Sequence, residues 1–424
     1  MGILDAPITP KRAASLALAG GLMNKGYAGS TLNVVLFGDS RTANANLTAG
    51  VNGGSTDSDW FGYANAIAGL PATLVLNAGV PGDTTTGMKN RVDALITSLG
   101  SSVNAAVVWG LTNDIPTTDA MLTTALTNLE YIYNAFAAAN IYVFAFSETP
   151  DNLYGTTTAI LKQKFRQRLA ARWNGRTDGE FVDIFPAIIN PTNANGAPLV
   201  TDTSDNLHIN TSGAYKIGKL LGPALARRAS GFKYPFCNSI IDTKESQALS
   251  TNFCRNPLMT GTDGTLGSGH TGTVPHLWST GGVAGAAMSI AARADGMGSD
   301  MVAAVTFAAA SDTFQAFMSS LGVFGIAAGD QFVLEGDINI SSPVNLNNVE
   351  AVLSFVGGGG PSVSVWKKAL GGALPEACSL KFRSSVLTLP AGTYTGASIT
   401  FTARCTGAGS ATIKIGTVAA RKIN

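Results

Sequence analysis

The sequence predicts an α/β domain built on a parallel sheet, followed by an antiparallel β-sandwich. From residue 31 to about 230, short apolar runs alternate regularly with helix-period stretches, the pattern of βαβ units with helices on both faces. Beyond about residue 255 the texture changes to short strand-like runs separated by glycine and proline turns, as in a sandwich. A chain of 424 residues also exceeds what one ordinary core holds, so two domains are expected.

In the first part, strands are predicted at Asn33–Phe37, Thr73–Leu76, Ala105–Trp109, Ile141–Phe146 and Phe181–Ile184. Helices are clearest at Thr86–Leu99, Asp119–Ala139 and Thr157–Trp173. In the second part the strand-like runs are Phe332–Ile340, Val349–Phe355, Ser362–Trp366, Phe382–Leu389, Ser398–Ala403 and Thr412–Val418. Ile399-Thr400-Phe401-Thr402 shows the period-two alternation of a half-buried strand. The expected organisation is a lead-in or attachment segment over 1–30, an α/β domain over 31–230, a connector over 231–254 and a sandwich over 255–424. Ala13–Met23 has the apolar character of a secretion-signal core, but it starts late, follows Pro7 and Pro10 and contains Gly20-Gly21. It is read as a short amphipathic helix.

Composition narrows the function classes. Twenty-eight basic and 27 acidic side chains nearly cancel, so no electrostatic footprint for nucleic acid or for a membrane surface is expected. No apolar run reaches transmembrane length. The four cysteines, Cys237, Cys254, Cys378 and Cys405, have no metal-site spacing; the one pairing left open is Cys378–Cys405.

The chemistry-bearing residues stand at the ends of the predicted strands. Val34-Val35-Leu36-Phe37 stops abruptly at Gly38-Asp39-Ser40, as a buried strand does when it delivers a polar side chain to the crevice at its carboxyl end. Ser40 is there a candidate nucleophile, or simply part of a turn. Asn77-Ala78-Gly79-Val80-Pro81-Gly82-Asp83-Thr84 follows the second strand and Gly110-Leu111-Thr112-Asn113-Asp114 the third. Asp205-Asn206-Leu207-His208 precedes a helix expected to begin near Thr211.

His208 is one of three histidines in the chain. An aspartate three residues before it can hold Nδ1–H and leave Nε2 to take the proton of Ser40. Taken alone, His208 reads better as a surface histidine before a helix cap. An acyl-transfer site also needs donors for an oxyanion: the backbone N–H of Ser40, a close-approaching N–H at Gly82 and the amide of Asn113 are candidates. Gly82 is otherwise a Pro-Gly turn, and Asn113 a loop cap. Four blocks in one order, each at a strand end, favour the joint reading.

These blocks resemble the SGNH hydrolases, or GDSL-type esterase/lipase family, over roughly residues 31–225. Gly38-Asp39-Ser40, Asn77 through Thr84, Thr112-Asn113-Asp114 and Asp205-x-x-His208 match its four blocks. One departure is that the family usually has Gly-x-Asn-Asp, whereas here Leu111 stands two before Asn113 and the glycine is displaced to Gly110. The resemblance implies a flavodoxin-like three-layer α/β/α fold with five parallel strands, no metal and no cofactor. It also implies ester hydrolysis through an acyl-serine, with Ser40 as nucleophile, His208 as base, Asp205 as its partner, and Gly82 and Asn113 as oxyanion donors.

Asn256-Pro257-Leu258-Met259 and Gly272-Thr273-Val274-Pro275-x-x-Trp278 resemble the opening of carbohydrate-binding-module-like sandwiches of phage tail proteins and secreted glycan-active enzymes. Trp278 and Trp366 are candidate sugar-stacking platforms. For Trp366, on an alternating strand, a core position is the better reading; for Trp278 both stand open. The combined expectation is an esterase that removes O-acetyl groups from a host cell-surface polysaccharide, placed on a phage tail or spike, with secretion as the alternative. Expected partners are the acetylated polysaccharide, other virion tail proteins and further copies of the chain, a trimer suiting a spike. A lipase or acyl-thioesterase of the same family and a non-catalytic glycan-binding tail protein are the competing functions.

Overall fold

The structure, a computed structural model, describes residues 31–45, 58–150, 155–192, 197–230, 243, 251–319, 321, 325–367 and 372–424. The lead-in segment, the helix expected at Ala13–Met23, Cys237 and most of the 231–254 connector lie outside the described residues.

Five strands form the first sheet: β1 (Leu32–Gly38), β2 (Ala72–Gly79), β3 (Ala105–Trp109), β4 (Tyr142–Phe146) and β5 (Gly179–Val182). They lie in the order β2-β1-β3-β4-β5, every pair parallel. That is the predicted five-stranded flavodoxin-like sheet, and its order reverses direction between β1 and β3. Burial of both faces explains the near-continuous apolar strands. Leu32, Val34 and Leu36 enter one hydrophobic cluster, while Val35 and Phe37 enter the other.

The helices are α1 (Ser40–Ala43), α2 (Trp60–Ala68), α3 (Thr85–Leu99), α4 (Asp119–Ala138), α5 (Gly155–Trp173), α6 (Phe185–Ile188) and α7 (Thr211–Arg228). The apolar stripes of α3, α4 and α5 cover one face through Met88, Leu129 and Phe165, among others. Helices α2 and α7 cover the opposite face. A Cβ at Gly218 would lie 2.6 Å from that of Tyr63, so a bare backbone there lets α7 lie against α2. No helix among the described residues is long and apolar enough to cross a membrane.

The second domain is antiparallel and β-rich. Its strands are β6 (His270–Gly272), β7 (Ser279–Gly282), β8 (Gly285–Ala292), β9 (Ser299–Phe307), β10 (Thr313–Met318), β11 (Gln331–Gly357), β12 (Ser362–Val365), β13 (Cys378–Arg383), β14 (Leu387–Thr388) and β15 (Tyr394–Lys422). Two pairs of strands expected to be separate are each continuous: Phe332–Ile340 with Val349–Phe355 in β11, and Ser398–Ala403 with Thr412–Val418 in β15. The glycines and polar residues that looked like turns are register shifts along the β11–β15 ladder.

The first half of β11 pairs with β13, β14 and the second half of β15, which carries β9, β8 and β6; the other halves carry β12, β10 and β7. Phe332 meets Phe355 and Phe382 meets Phe401 across the space between these layers. Phe253, within the stretch read as connector, donates its N–H to Ala420 at the edge of β15.

Two alternatives that the sequence left open are decided here, and the core reading of Trp366 holds. Cys378 and Cys405 are not joined by a disulfide: Cys378 sits opposite Ile340, whereas Cys405 sits opposite Leu346 and donates to Ala309 O. Burial, and secondarily Glu376, pushes the Cys378 thiol up to about 12. Neither tryptophan is a sugar platform. Trp278 is fully buried, its indole N–H donating to Asn256 O, and Trp366 is 3% exposed. A ring without accessible faces cannot stack on a pyranose.

Candidate active site

The site lies at the carboxyl ends of β1 and β3, at the reversal of strand order, where open α/β sheets place their reactive crevice. Strand β1 ends at Gly38 and α1 starts at Ser40. Asp39 caps that turn, its carboxylate accepting from Arg41 N at 3.0 Å. The turn presents Ser40, partly exposed, at the rim.

The last block arrives from 168 residues away. Ser40 Oγ and His208 Nε2 are 2.9 Å apart, and His208 Nδ1 is 2.7 Å from Asp205 Oδ2. Asp205 Oδ1 also accepts from the backbone N–H of His208 at 2.7 Å and of Leu207 at 3.1 Å. The partial burial of Asp205 works against its charge. The bonds from the His208 side chain and these two N–H groups outweigh it and hold the carboxyl below its usual range. An ionised Asp205 fixes Nδ1 as the donor, so Nε2 is the acceptor for the Ser40 hydroxyl.

The second and third blocks, beyond the ends of β2 and β3, are braced together. Gly82 is exposed with φ +79, left-handed backbone that glycine adopts without a Cβ penalty. Asn113 donates one N–H from Nδ2 to Asp83 O at 2.9 Å. An amide nitrogen carries two hydrogens, so this bond engages only one of them. Asp114 accepts from Thr85 N at 2.9 Å and Thr85 Oγ1 at 2.6 Å, tying the third block to the start of α3. Burial raises its carboxyl, the two Thr85 bonds partly opposing.

The departure at Leu111 has a backbone counterpart. Leu111 takes φ +136, a conformation rare for side-chain-bearing residues, where the family's glycine would stand. Its side chain is fully buried, and that burial offsets strain of roughly 1–3 kcal/mol. Gly110 answers a different need, since a Cβ there would lie 2.5 Å from Met88 Sδ.

The sequence reading missed two supporting networks. Arg91 Nε donates to Asp83 Oδ2 at 2.7 Å, and its other nitrogens donate to Ala78 O and Gly38 O, so one guanidinium joins the Gly82 loop to the end of β1. Beneath Ser40, Arg41 is fully buried, 4.4 Å over the Trp109 ring. It bonds bidentately to Asp39, reaches Glu148 and donates to Thr149 Oγ1 at 2.9 Å. Burial disfavours the guanidinium charge, but Asp39 and Glu148 more than restore it and raise its affinity for the proton. Lys162, also buried, donates to Thr112 Oγ1 at 2.9 Å, next to Asn113. Among the described residues no group of three His, Cys, Asp or Glu is placed to hold a metal ion.

A serine and a histidine–aspartate pair in hydrogen-bonding line, on a five-stranded parallel sheet with helices on both faces, define the class of serine hydrolases. Residues 36–216, most of the α/β domain, match the family model of the GDSL-like Lipase/Acylhydrolase family. No curated protein matches the chain in sequence. Among solved structures, a GDSL-like lipase from Bacteroides thetaiotaomicron is similar at 18% identity, over 51% of this chain and 97% of that one, with a TM-score of 0.36. A catalytic mutant of an acetylxylan esterase from Geobacillus stearothermophilus is similar at 15% identity, over 49% of this chain and 98% of that one, with a TM-score of 0.35.

Proposed function

We propose that the protein is a serine esterase that removes O-acetyl groups from a polysaccharide, acting at a host cell surface as part of a phage tail or spike. The observation that carries the esterase reading is the unbroken line Ser40 Oγ, His208 Nε2, His208 Nδ1, Asp205 Oδ2, at 2.9 and 2.7 Å. Ser40 Oγ attacks the acetyl carbonyl carbon while His208 Nε2 takes the hydroxyl proton. The carbonyl oxygen, now an oxyanion, is met by the N–H groups of Ser40 and Gly82 and the second N–H of Asn113. His208 then gives its proton to the departing sugar oxygen, leaving acetyl on Ser40. Water repeats the sequence, releasing acetate and restoring the serine.

A large polar substrate fits the exposure of the site: the Asp205 side chain is 52% exposed, that of His208 25%, and Gly82 lies at the surface. The test is acetate release from a panel of acetylated bacterial polysaccharides, together with hydrolysis of 4-nitrophenyl acetate. Both are expected in the native chain and lost by about three orders of magnitude or more in Ser40→Ala. A chain-length series peaking at long acyl esters would favour the lipase reading, and glycan binding without turnover the binding-protein reading.

A further inference from the structure

The β domain meets the α/β domain through its most irregular backbone. Leu346 pairs with Cys405 and Asn348 with Arg404, so Asn347 is the extra residue of a bulge in β11. A bulge turns a side chain out of the ladder and re-aims it. Here the fully buried Asn347 amide is aimed at the Gly372 carbonyl, to which it donates, and at Thr211 Oγ1, 3.4 Å away at the start of α7. Gly372 has φ +95, and a Cβ there would lie 2.9 Å from the amide carbon of Asn210. Close by, Trp366 has φ +53, and its ring stacks on Tyr63 with centroids 6.1 Å apart. Tyr63 meets Tyr215 of α7 edge-on. Three residues outside the usual ladder geometry, Asn347 and Gly372 against the start of α7 and Trp366 against Tyr63 of α2, are the kind of outlier from which a role is inferred.

What Asn347 and Gly372 press on is the clasp of the histidine loop. Asn210 Oδ1 accepts from Ser212 N at 2.9 Å and Gly213 N at 3.3 Å, while its Nδ2 donates to Thr201 O at 2.9 Å and Thr203 O at 3.3 Å. This one side chain caps α7 and ties both ends of the loop carrying Asp205 and His208. The loop's outer part is exposed, so its position depends on the clasp.

We propose that the β domain is a working part of the active site, with Asn347 and Gly372 as positioning residues that hold Asn210 and Thr211 and thereby keep His208 in reach of Ser40. The inference rests on the esterase reading for its kinetic consequence, and not for its structural one.

The test uses the full chain carrying Asn347→Ala or Gly372→Ala, with Glu376→Ala as comparator. Glu376 makes an exposed ion pair with Lys219 on the same interface, further along α7. With 4-nitrophenyl acetate, the two positioning variants are expected to lose about ten- to a hundredfold in kcat with KM within about twofold. Amide hydrogen exchange at Leu207, His208, Ser212 and Gly213 should quicken by about tenfold or more. Glu376→Ala should leave both unchanged. Should either variant fail to fold, Thr211→Val removes the Asn347 contact from the α/β side and is expected to move both readouts in the same direction. Native exchange at those amides in folded variants overturns the proposal, whatever the rate. Faster exchange in a chain whose native form hydrolyses no ester upholds the clasp and sinks the esterase reading instead.

Discussion

Lys162 shows at the scale of one residue how the site is built on charge as well as on the triad. Burial lowers its ammonium from 10.5 to about 8; Glu148 and Asp39 oppose the change and Arg41 adds to it. Between about 8 and 10.5 the folded protein has released a proton that the unfolded chain still holds, so this group makes stability rise with pH across that window. Relative to Lys162→Met, the native protein should therefore gain melting temperature from pH 8 to pH 10. A difference that stays flat over that range would remove Lys162 as a titrating group. Arg41 beside it is held at fixed charge, and a buried charge left with one partner missing costs roughly 3–5 kcal/mol. None of this was legible in the sequence. Arg41 and Glu148 stand 107 positions apart, and nothing in either local pattern marks them as partners. Ser40, Gly82 and Asn113 stood out in the sequence because each lies just beyond a readable apolar run, and Asp205 and His208 because an aspartate stands three residues before a histidine just ahead of a helix.

Among the longer helices, α2 is the one the sequence hid. Trp60–Ala68 has almost no polar face, since the helix is buried between the sheet, α7 and Trp366, so the usual helical alternation is missing. Its cap carries a cost that can be measured. Asp59 accepts from Gly62 N at 2.8 Å, but burial pushes its carboxyl up to about 7, against the effect of that bond and of the Phe61 N–H. Between 3.8 and about 7 the folded state holds a proton the unfolded chain has lost, so stability falls as pH rises through this window and the full cost is present above it. Asp59→Asn keeps a cap acceptor without the charge. It should melt higher than the native protein at pH 8, by a margin that shrinks toward pH 5; an equal margin at both values would refute the assignment. In the second domain, strands from His270 to Met318 went unread because alanine, glycine and serine fill them. In Gly285–Ala292 the inward residues Ala286 and Met288 differ little in polarity from their outward neighbours.

Over the whole molecule, the hydrophobic cluster covering one face of the parallel sheet continues without a break into the β-domain core, through Tyr63, Tyr215 and Trp366. The sequence showed two textures and so two domains, but it held no sign that they share apolar contacts, because the joining residues are scattered over some 300 positions. Calorimetry of the full chain should give one cooperative transition, with calorimetric and van't Hoff enthalpies equal. Two resolved endotherms would mean that the shared cluster does not couple the halves. The exposed setting of Gly82, Asp205 and His208 has a last consequence for how such an enzyme would meet a polymer. On the proposed polysaccharide substrate, a nucleophile on an open ledge would need no free chain terminus, so it would strip substituents midway along a strand, in any order, and leave the backbone of the polymer uncut.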